Sequence, residues 1–178
     1  AFSLDTSGAN WTYLPIGPYA NKADFIEFLQ GAEASHDPLY FTVLDAGGRA
    51  VGHATYLRID PAHGVIEVGF IHFSPLMQRT PMSTEAMYLM MRYVFETLGY
   101  RRYEWKCDAL NAPSIAAAKR LGFTFEGVFR QATTYKGRNR DTAWLSVLDS
   151  EWPGLKARFE RWLVAENFDA DGRQRASL

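Results

Sequence analysis

The chain has 178 residues, of which 47% are hydrophobic, and its 19 basic and 20 acidic residues give a formal net charge of −1. This composition predicts one folded domain with a substantial core, and the near-neutral charge argues against nucleic-acid and membrane partners. The single cysteine, Cys107, excludes an internal disulfide, and no Cys/His spacing resembles a zinc site. We therefore expect no metal and a reducing, cytoplasmic location.

The whole chain, residues 1–178, is predicted to form a single domain whose polar tail, residues 169–178, frays. Its most apolar stretches, residues 65–77 and 86–98, are too short and too often interrupted by charged residues to span a bilayer. The chain begins with Ala1 and shows no basic leader before an apolar run. This start favours a fragment or a processed chain that lacks an N-terminal strand.

The first half of the chain predicts one helix followed by three antiparallel strands. Asn21 is a suitable N-cap, and apolar residues at helical spacing follow it. Strands are predicted at residues 39–45, 51–59 and 65–73, with a hairpin turn at Gly47-Gly48 and a second turn at residues 61–64.

The second half predicts helices alternating with strands. Residues 81–98 repeat apolar side chains about every 3.6 positions and end before Gly99, which makes this the strongest predicted helix. Residues 101–109 alternate apolar and charged side chains, which indicates a strand with one buried face. Asn111 then caps a short helix that ends at Leu121-Gly122. Two strands joined around residues 136–139 and an amphipathic helix over residues 151–168 complete the order.

This order of elements predicts an α/β (α+β) fold, in which a mixed, mostly antiparallel central sheet carries helices on both faces. The exposed final strands favour a homodimer. Basic residues around the last hairpin are interpreted as a solvated edge rather than an anion site. They are Arg130, Lys136, Arg138 and Arg140.

Two junctions between a strand and a helix are candidate sites. At residues 78–86, the N–H groups of the helix N-terminus suit a pyrophosphate and Arg79 adds positive charge. Thr80 and Pro81 suit simple capping equally well. At the second junction, capping accounts for Asn111 but leaves Ser114 unexplained.

Several short motifs, taken in order, resemble the GNAT superfamily of acetyltransferases, and specifically its branch similar to the ribosomal-protein N-terminal acetyltransferases. They cover most of the chain, and their ordered spacing is what makes the resemblance specific. The motifs are Trp11-Thr12-Tyr13, Glu67-Val68-Gly69-Phe70, Thr84-Glu85-Ala86, Asn111 with Ser114, Leu121-Gly122-Phe123 and Glu126-Gly127.

The resemblance implies transfer of an acetyl group from acetyl-CoA to a primary amine, on a small molecule or a protein N-terminus, by direct attack in a ternary complex. It also implies two parallel strands, residues 65–73 and 101–109, that splay apart around the pantetheine. The residues expected to bind the cofactor are Ile71, His72, Phe73, Gln78, Arg79, Thr80, Met82, Ser83, Thr84, Asn111 and Ser114.

One departure from the family pattern concerns the pyrophosphate loop, where Pro81 and Ser83 occupy positions that usually hold small residues. Pro81 lacks an N–H group, so at least one phosphate donor is absent. This departure motivates an alternative hypothesis, a noncatalytic module that binds acyl-CoA or another partner.

Glu67 and Ser114 are the candidate catalytic residues. Glu67 is charged in an otherwise apolar strand, so it is either the base for the amine or a residue paired to an arginine. His72 is a competing base, but strand alternation places it on the opposite face from Glu67. The resemblance places Ser114 near the coenzyme sulfur, where its hydroxyl either donates to the leaving thiolate or bonds the backbone of its own turn.

Aromatic residues of the early loop are candidates for the acceptor pocket, although such residues more often cover a core. The expected substrate-binding residues are Trp11 and Tyr13, together with Glu67. Cys107 alternates with apolar neighbours and has no identifiable partner base, so packing is the stronger interpretation.

Overall fold

A six-stranded sheet with strand order β1-β2-β3-β4-β6-β5 forms the centre of the protein. The computed structural model describes residues 8–178 of the chain. Every neighbouring pair of strands is antiparallel except β3 and β4, which are parallel. The strands are β1 (Leu39–Leu44), β2 (Ala50–Asp60), β3 (Val65–Phe73), β4 (Arg102–Asp108), β5 (Thr124–Tyr135) and β6 (Arg138–Leu148). The helices are α1 (Lys22–Glu33), α2 (Pro81–Arg92), α3 (Ala112–Arg120) and α4 (Trp152–Leu163).

Helices cover both faces of the sheet, which confirms the predicted fold class. Buried side chains of β2, β3, β4 and β6 pack against α2, α3 and α4 in one apolar core that includes Val68, Tyr103, Met91, Ala118 and Phe159. On the opposite face, aromatic side chains of α1 contact β1 and β2. The described residues contain no helix long and apolar enough to cross a membrane.

Local capping signals in the sequence decide where two helices begin. The side-chain oxygen of Asn21 accepts hydrogen bonds from the N–H groups of Ala23 and Asp24, at 2.8 and 3.0 Å. Asn111 does the same for Ser114 at the start of α3. The predicted end of α3 is also found, because Gly122 has a φ of 94° and a Cβ there would collide with Leu155. Both caps were predicted from residue type and position alone.

The C-terminal segment differs from its prediction. Helix α4 ends at Leu163 instead of continuing to residue 168, because Val164 is extended and only a short turn, Ala165–Asn167, follows. The predicted frayed tail instead folds back on this helix. Trp162 donates from Nε1 to Gln174 at 2.9 Å, and the N–H of Ala176 donates to the side chain of Asn167 at 2.9 Å.

Strand β3 contains a bulge that reverses its alternation. Gly69 pairs with Thr55, but the next paired residue, His72, lies opposite His53, so β3 has one extra residue here. Phe70 in this segment has a φ of 46°. Directly paired residues share a face of the sheet, so the extra residue places His72 on the same face as Glu67. The prediction that they lie on opposite faces is therefore wrong.

The two parallel strands part before they end. Pairing between β3 and β4 runs from Val65 with Arg102 to Val68 with Trp105, although β3 continues to Phe73 and β4 to Asp108. Beyond Val68 and Trp105 a gap therefore opens in the middle of the sheet. The predicted splayed strands are confirmed.

The polar face of β4 is buried as well as its apolar face. Tyr103, Trp105 and Cys107 are buried as predicted. Glu104 and Asp108 on the other face are also buried, and only 4% of the side chain of Lys106 is exposed. The prediction of a single buried face is thus half right, because ion pairs allow charged residues to be buried here.

His53 gives the fold a predicted sensitivity to acid. Its Nε2 is buried without a hydrogen-bond partner among residues 8–178. Burial, reinforced by the charge of His72, lowers the pKa of His53 to about 4. In the unfolded chain the pKa is about 6.5, so below that pH the unfolded state binds a proton that the folded state excludes.

We expect the free energy of unfolding to fall by about 3 kcal/mol through this residue as the pH drops from about 6.5 to about 4. His53→Phe should remove that part of the loss, as measured by urea unfolding at several pH values. His36→Gln alters an exposed histidine and should leave the acid sensitivity unchanged. An unaltered pH profile for His53→Phe would contradict the prediction.

Candidate active site

Two cavities meet at the gap between β3 and β4. The loop-side cavity has a volume of about 790 Å³ and lies between residues 9–15, the charged face of the sheet and strand β5. The helix-side cavity has a volume of about 980 Å³ and lies between the N-terminus of α2, helix α3 and the tail. Both are lined by Asn10, Ile71, Trp105, Asn111, Pro113 and Ser114. A molecule in one cavity therefore lies next to a molecule in the other.

The helix-side cavity collects the predicted cofactor-binding residues with one exception, Met82, which lines neither cavity. Those that line it are Ile71, His72, Phe73, Gln78, Arg79, Thr80, Ser83, Thr84, Asn111 and Ser114. Ten of the eleven predicted residues thus line the same cavity.

Hydrogen bonds fix the loop before α2. The Gln78 side chain donates to the carbonyl oxygen of Phe73 at 2.7 Å. Thr80 occupies the N-cap position, but its hydroxyl donates to the carbonyl oxygen of Met77 and caps no N–H group. Arg79 has a φ of 59° and forms no ion pair with any of residues 8–178. Simple capping by the Thr80 side chain is thus not what the structure has.

Arg120 is a residue of this cavity that the sequence interpretation missed. It lines the cavity and donates to the hydroxyl of Thr84 at 3.0 Å. Its guanidinium also lies 4.8 Å from the ring centroid of Trp162. Arg173 of the tail lines the cavity too. No local sequence pattern reveals that these two arginines line the cavity, because residues of α2, α3, α4 and the tail come together only in the folded chain.

Ser114 lies where the two cavities meet. Its hydroxyl oxygen accepts a hydrogen bond from Trp105 Nε1 at 2.9 Å. It also hydrogen-bonds the thiol of Cys107; burial nevertheless raises the pKa of that thiol above its ordinary value. The hydroxyl is therefore bound to side chains of β4 rather than to the backbone of its own turn. Cys107 is buried in the core, as predicted.

Glu67 lines the loop-side cavity and carries two cations on one oxygen. Arg58 Nη1 lies 2.8 Å and Lys106 Nζ 3.0 Å from Oε2. The other oxygen, Oε1, has no hydrogen-bond partner among the described residues. The arginine pairing that the sequence left open is present, and one carboxylate oxygen stays available to a ligand.

The ion pairs continue along the sheet. Lys106 also contacts Glu104 at 2.7 Å, and Arg102 joins Glu104 to Glu126. Burial raises the pKa of Glu104, but hydrogen bonds from Lys106 and Arg102 bring it below its ordinary value. The hydrogen bonds from Arg102 lower the pKa of Glu126 to about 2. Glu67, Glu104 and Lys106 are thus each matched by a partner of opposite sign.

The two aromatic residues predicted to bind the acceptor, Trp11 and Tyr13, have different environments. Trp11 lines neither cavity, because it is buried at 4% exposure and stacks on His72 with ring centroids 4.0 Å apart. Tyr13 lines the loop-side cavity. Lys136 and Arg138 hold this loop by donating to the carbonyl oxygens of Trp11 and Thr12. The heads of these two basic residues are therefore hydrogen-bonded, not simply solvated.

Comparison with known proteins identifies the class of protein that this architecture belongs to. Residues 4–124 match the family model for the acetyltransferase (GNAT) domain. The chain therefore belongs to the GNAT superfamily. The ribosomal-protein branch is a finer assignment that this match does not address.

Individual relatives agree with the family. The chain is 51% identical to a GCN5-related N-acetyltransferase from Brucella melitensis, with a TM-score of 0.96 and coverage of 99% of this chain and 81% of that one. It is 25% identical, over 150 residues, to YnaD, an uncharacterized N-acetyltransferase of Bacillus subtilis (strain 168), covering 83% of this chain and 85% of that protein. The protein is thus an N-acetyltransferase.

A more distant structure shows likeness in fold alone. Spermidine N-acetyltransferase from Vibrio cholerae, solved with CoA and spermine, is 19% identical with a TM-score of 0.68, and the match covers 85% of this chain and 89% of that one. Enzymes of the superfamily use acetyl-CoA. No group of three or more metal-ligating side chains occurs within the described part of the chain.

Proposed function

We propose that the protein transfers an acetyl group from acetyl-CoA, bound in the helix-side cavity, to a primary amine bound in the loop-side cavity. The observation that carries this proposal is the gap between β3 and β4, where the two cavities share Ser114, Trp105 and Ile71. Two substrates bound on opposite sides of this gap would meet within a ternary complex, so the amine would attack the thioester directly.

The helix-side cavity suits a coenzyme A molecule in size and charge. A volume of about 980 Å³ is at the upper end of the range of small-molecule sites. The N-terminus of α2, Arg79 and Arg120 bring positive charge to one wall, which suits phosphate groups. When bound, acetyl-CoA supplies an activated acyl group and a thiol leaving group.

Ser114 is proposed to donate a hydrogen bond to the departing thiolate, whose proton is then supplied by solvent. Trp105 donates an N–H to this oxygen, so the hydroxyl proton is directed away from the indole, and it would turn from the Cys107 thiol to the coenzyme sulfur. Negative charge develops on the sulfur only as the C–S bond breaks. A hydrogen bond to the sulfur therefore stabilises the transition state more than the bound substrate.

Glu67 is proposed to accept the proton that the amine loses, through Oε1 and directly or by way of water. The cations Arg58 and Lys106 nearby also disfavour an ammonium ion, so they lower the pKa of a bound amine. A neutral amine is the nucleophile in acyl transfer, and both effects increase its fraction.

The acceptor is proposed to be a small molecule or a protein N-terminus. The spermidine enzyme with the same fold acts on a small amine, and the motifs resembling the ribosomal-protein branch favour a protein N-terminus. The loop-side cavity opens beside residues 9–15 and the β5 edge, so it is accessible to either.

One observation favours the noncatalytic alternative. Pro81 is the first residue of α2, and both the N–H and the hydroxyl of Ser83 donate to the carbonyl oxygen of Thr80. Fewer N–H groups at this terminus are then available to phosphate than in a glycine-containing loop.

The proposed function is tested by coenzyme binding and thiol release. We expect acetyl-CoA to raise the melting temperature, because it binds only the folded state, and to release thiol when a panel of amines is added. Arg120→Gln should weaken acetyl-CoA binding about tenfold in calorimetry by removing one phosphate-side cation. Arg158→Gln, an exposed position outside both cavities, is the control. Binding without thiol release would establish the noncatalytic alternative, and no binding at millimolar acetyl-CoA would overturn both.

Glu67→Gln should lower turnover about 10²-fold, because it keeps the size of the side chain and removes its basicity. Turnover is measured across the pH range together with melting temperature. Glu126→Gln removes a carboxylate from the same chain of ion pairs outside both cavities and should retain turnover. If Glu67→Gln kept wild-type turnover at every pH, Glu67 would not be the base, and His72 or water would have to accept the proton.

Ser114→Ala should lower turnover about 10²-fold with little change in acetyl-CoA affinity, because the hydroxyl acts as the sulfur leaves. Ser35→Ala removes a hydroxyl that donates to the carbonyl oxygen of Pro38, away from both cavities, and should only destabilise, by about 1 kcal/mol. If Ser114→Ala behaves like this control, with a lower melting temperature and unchanged turnover, its catalytic assignment is excluded.

A further inference from the structure

The basic residues of the last hairpin have different environments. Lys136 and Arg138 hydrogen-bond the loop at residues 11–12, whereas Arg140 points into the protein and lines the loop-side cavity. Arg140 Nε is buried, and the guanidinium has no hydrogen bond and no carboxylate within 4.0 Å among residues 8–178. A buried, unsatisfied donor costs about 1 to 3 kcal/mol, and more when it is charged. This arrangement calls for a ligand that supplies the missing acceptor.

Neighbouring donors extend the same side of the cavity. Three side chains at alternate positions of β6 line the loop-side cavity and so share a face of the sheet, namely Arg140, Thr142 and Trp144. Each lies about 7 Å along the strand from the next. Trp144 Nε1 is also buried without a hydrogen-bond partner in the part of the chain that the structure describes. These two nitrogens are enclosed by protein, whereas the terminal nitrogens of Arg140 are not, and its guanidinium lies 5.9 Å from the ring centroid of Tyr135. The terminal nitrogens of Arg140 are therefore the donors that a ligand in the cavity can reach.

The charges that line this cavity exclude a simple cationic acceptor. Arg58, Lys106 and Arg140 line it, and Glu67 is its only acidic residue within the described chain. Glu67 Oε2 is already shared by Arg58 and Lys106. A polyamine would meet an excess of positive charge, whereas an amine whose molecule also carries an anion would be attracted.

Arg140 lies close to the reacting groups. It lines the same cavity as Glu67, Cys107 and Ser114. An anion held by Arg140 would therefore lie beside the gap through which the amine reaches the thioester. The planar guanidinium presents paired donors that match the two oxygens of a carboxylate.

We propose that the acceptor carries a carboxylate near its primary amine and that Arg140 binds this carboxylate. The inference rests on the proposed function, because it names the substrate class of the same cavity. The carboxylate belongs either to a free amino acid or to an acidic residue near a peptide N-terminus. In both cases Arg140 fixes the acceptor while its amine faces the gap.

The test compares acceptors that differ in the carboxylate alone. Phenylalanine with phenethylamine, and arginine with agmatine, represent free amino acids. The peptide amides Ser-Asp-Ala and Ser-Asn-Ala represent protein N-termini, and spermidine represents a polyamine. In the wild-type protein we expect kcat/KM to favour the carboxylate member of at least one kind of pair by about 10- to 100-fold. Which kind shows the preference identifies the source of the carboxylate.

Arg140→Gln should reduce that preference to about one, and Arg140→Lys should restore part of it, because a lysine keeps the charge without the planar fork. Arg130→Gln changes an exposed arginine that lines neither cavity and should keep the wild-type preference. Calorimetry with N-acetylphenylalanine and N-acetylphenethylamine adds a readout without turnover, and the wild-type protein should bind the acid more tightly.

Equal loss of kcat/KM for both members of a pair in Arg140→Gln would overturn the inference, since Arg140 would then act on the amine or the thioester. Preference for spermidine or for the carboxylate-free amines would overturn it as well. Thiol release with none of the amines would instead contradict the proposed function itself.

Discussion

The separation of two parallel strands is the constraint on which the rest of the structure depends. β3 and β4 pair as far as Val68 and Trp105 and then part, and the bulge at Phe70 turns β3 so that Ile71 and Phe73 pack toward the helices while His72 faces the loop. A continuous ladder would close the sheet and separate its two faces. Because the ladder stops, a cavity on each face reaches the same junction, and an acyl donor and an acceptor can meet there.

Burial of charge on the loop side of the sheet follows from the same architecture. On this face the strands near the gap carry Glu67, Glu104 and Lys106, and all three are buried. Removing such charges from water costs several kcal/mol for each ion unless a partner is close. The chain of ion pairs from Arg58 to Glu126 supplies those partners. It leaves Arg140 outside the pairing, so the side chains that line the loop-side cavity carry an excess of positive charge.

The order of elements and both asparagine caps could be predicted because they depend on neighbours within a few residues. The residues proposed to bind the cofactor could be assigned to one cavity because the family motifs keep their spacing along the chain. Met82 and Trp11 were expected in the site for the same reason, yet Met82 lines neither cavity and Trp11 packs on His72. Motif spacing identifies a segment, but the direction of each side chain depends on packing against other segments.

The sequence by itself determined the fold class and the junctions at residues 78–86 and 108–114, because periodicity and capping are local properties of the chain, whereas the splayed strands were expected from the family resemblance. Only the tertiary structure decided that an extra residue in β3 brings His72 to the face of Glu67, that the tail closes the helix-side cavity, and that Arg140 differs from Lys136 and Arg138. Each of these depends on which distant groups come within hydrogen-bond or ion-pair distance. Hydrogen bonds and ion pairs form only when their atoms are within a few ångströms of each other. For residues far apart in sequence, only the folded chain determines that distance.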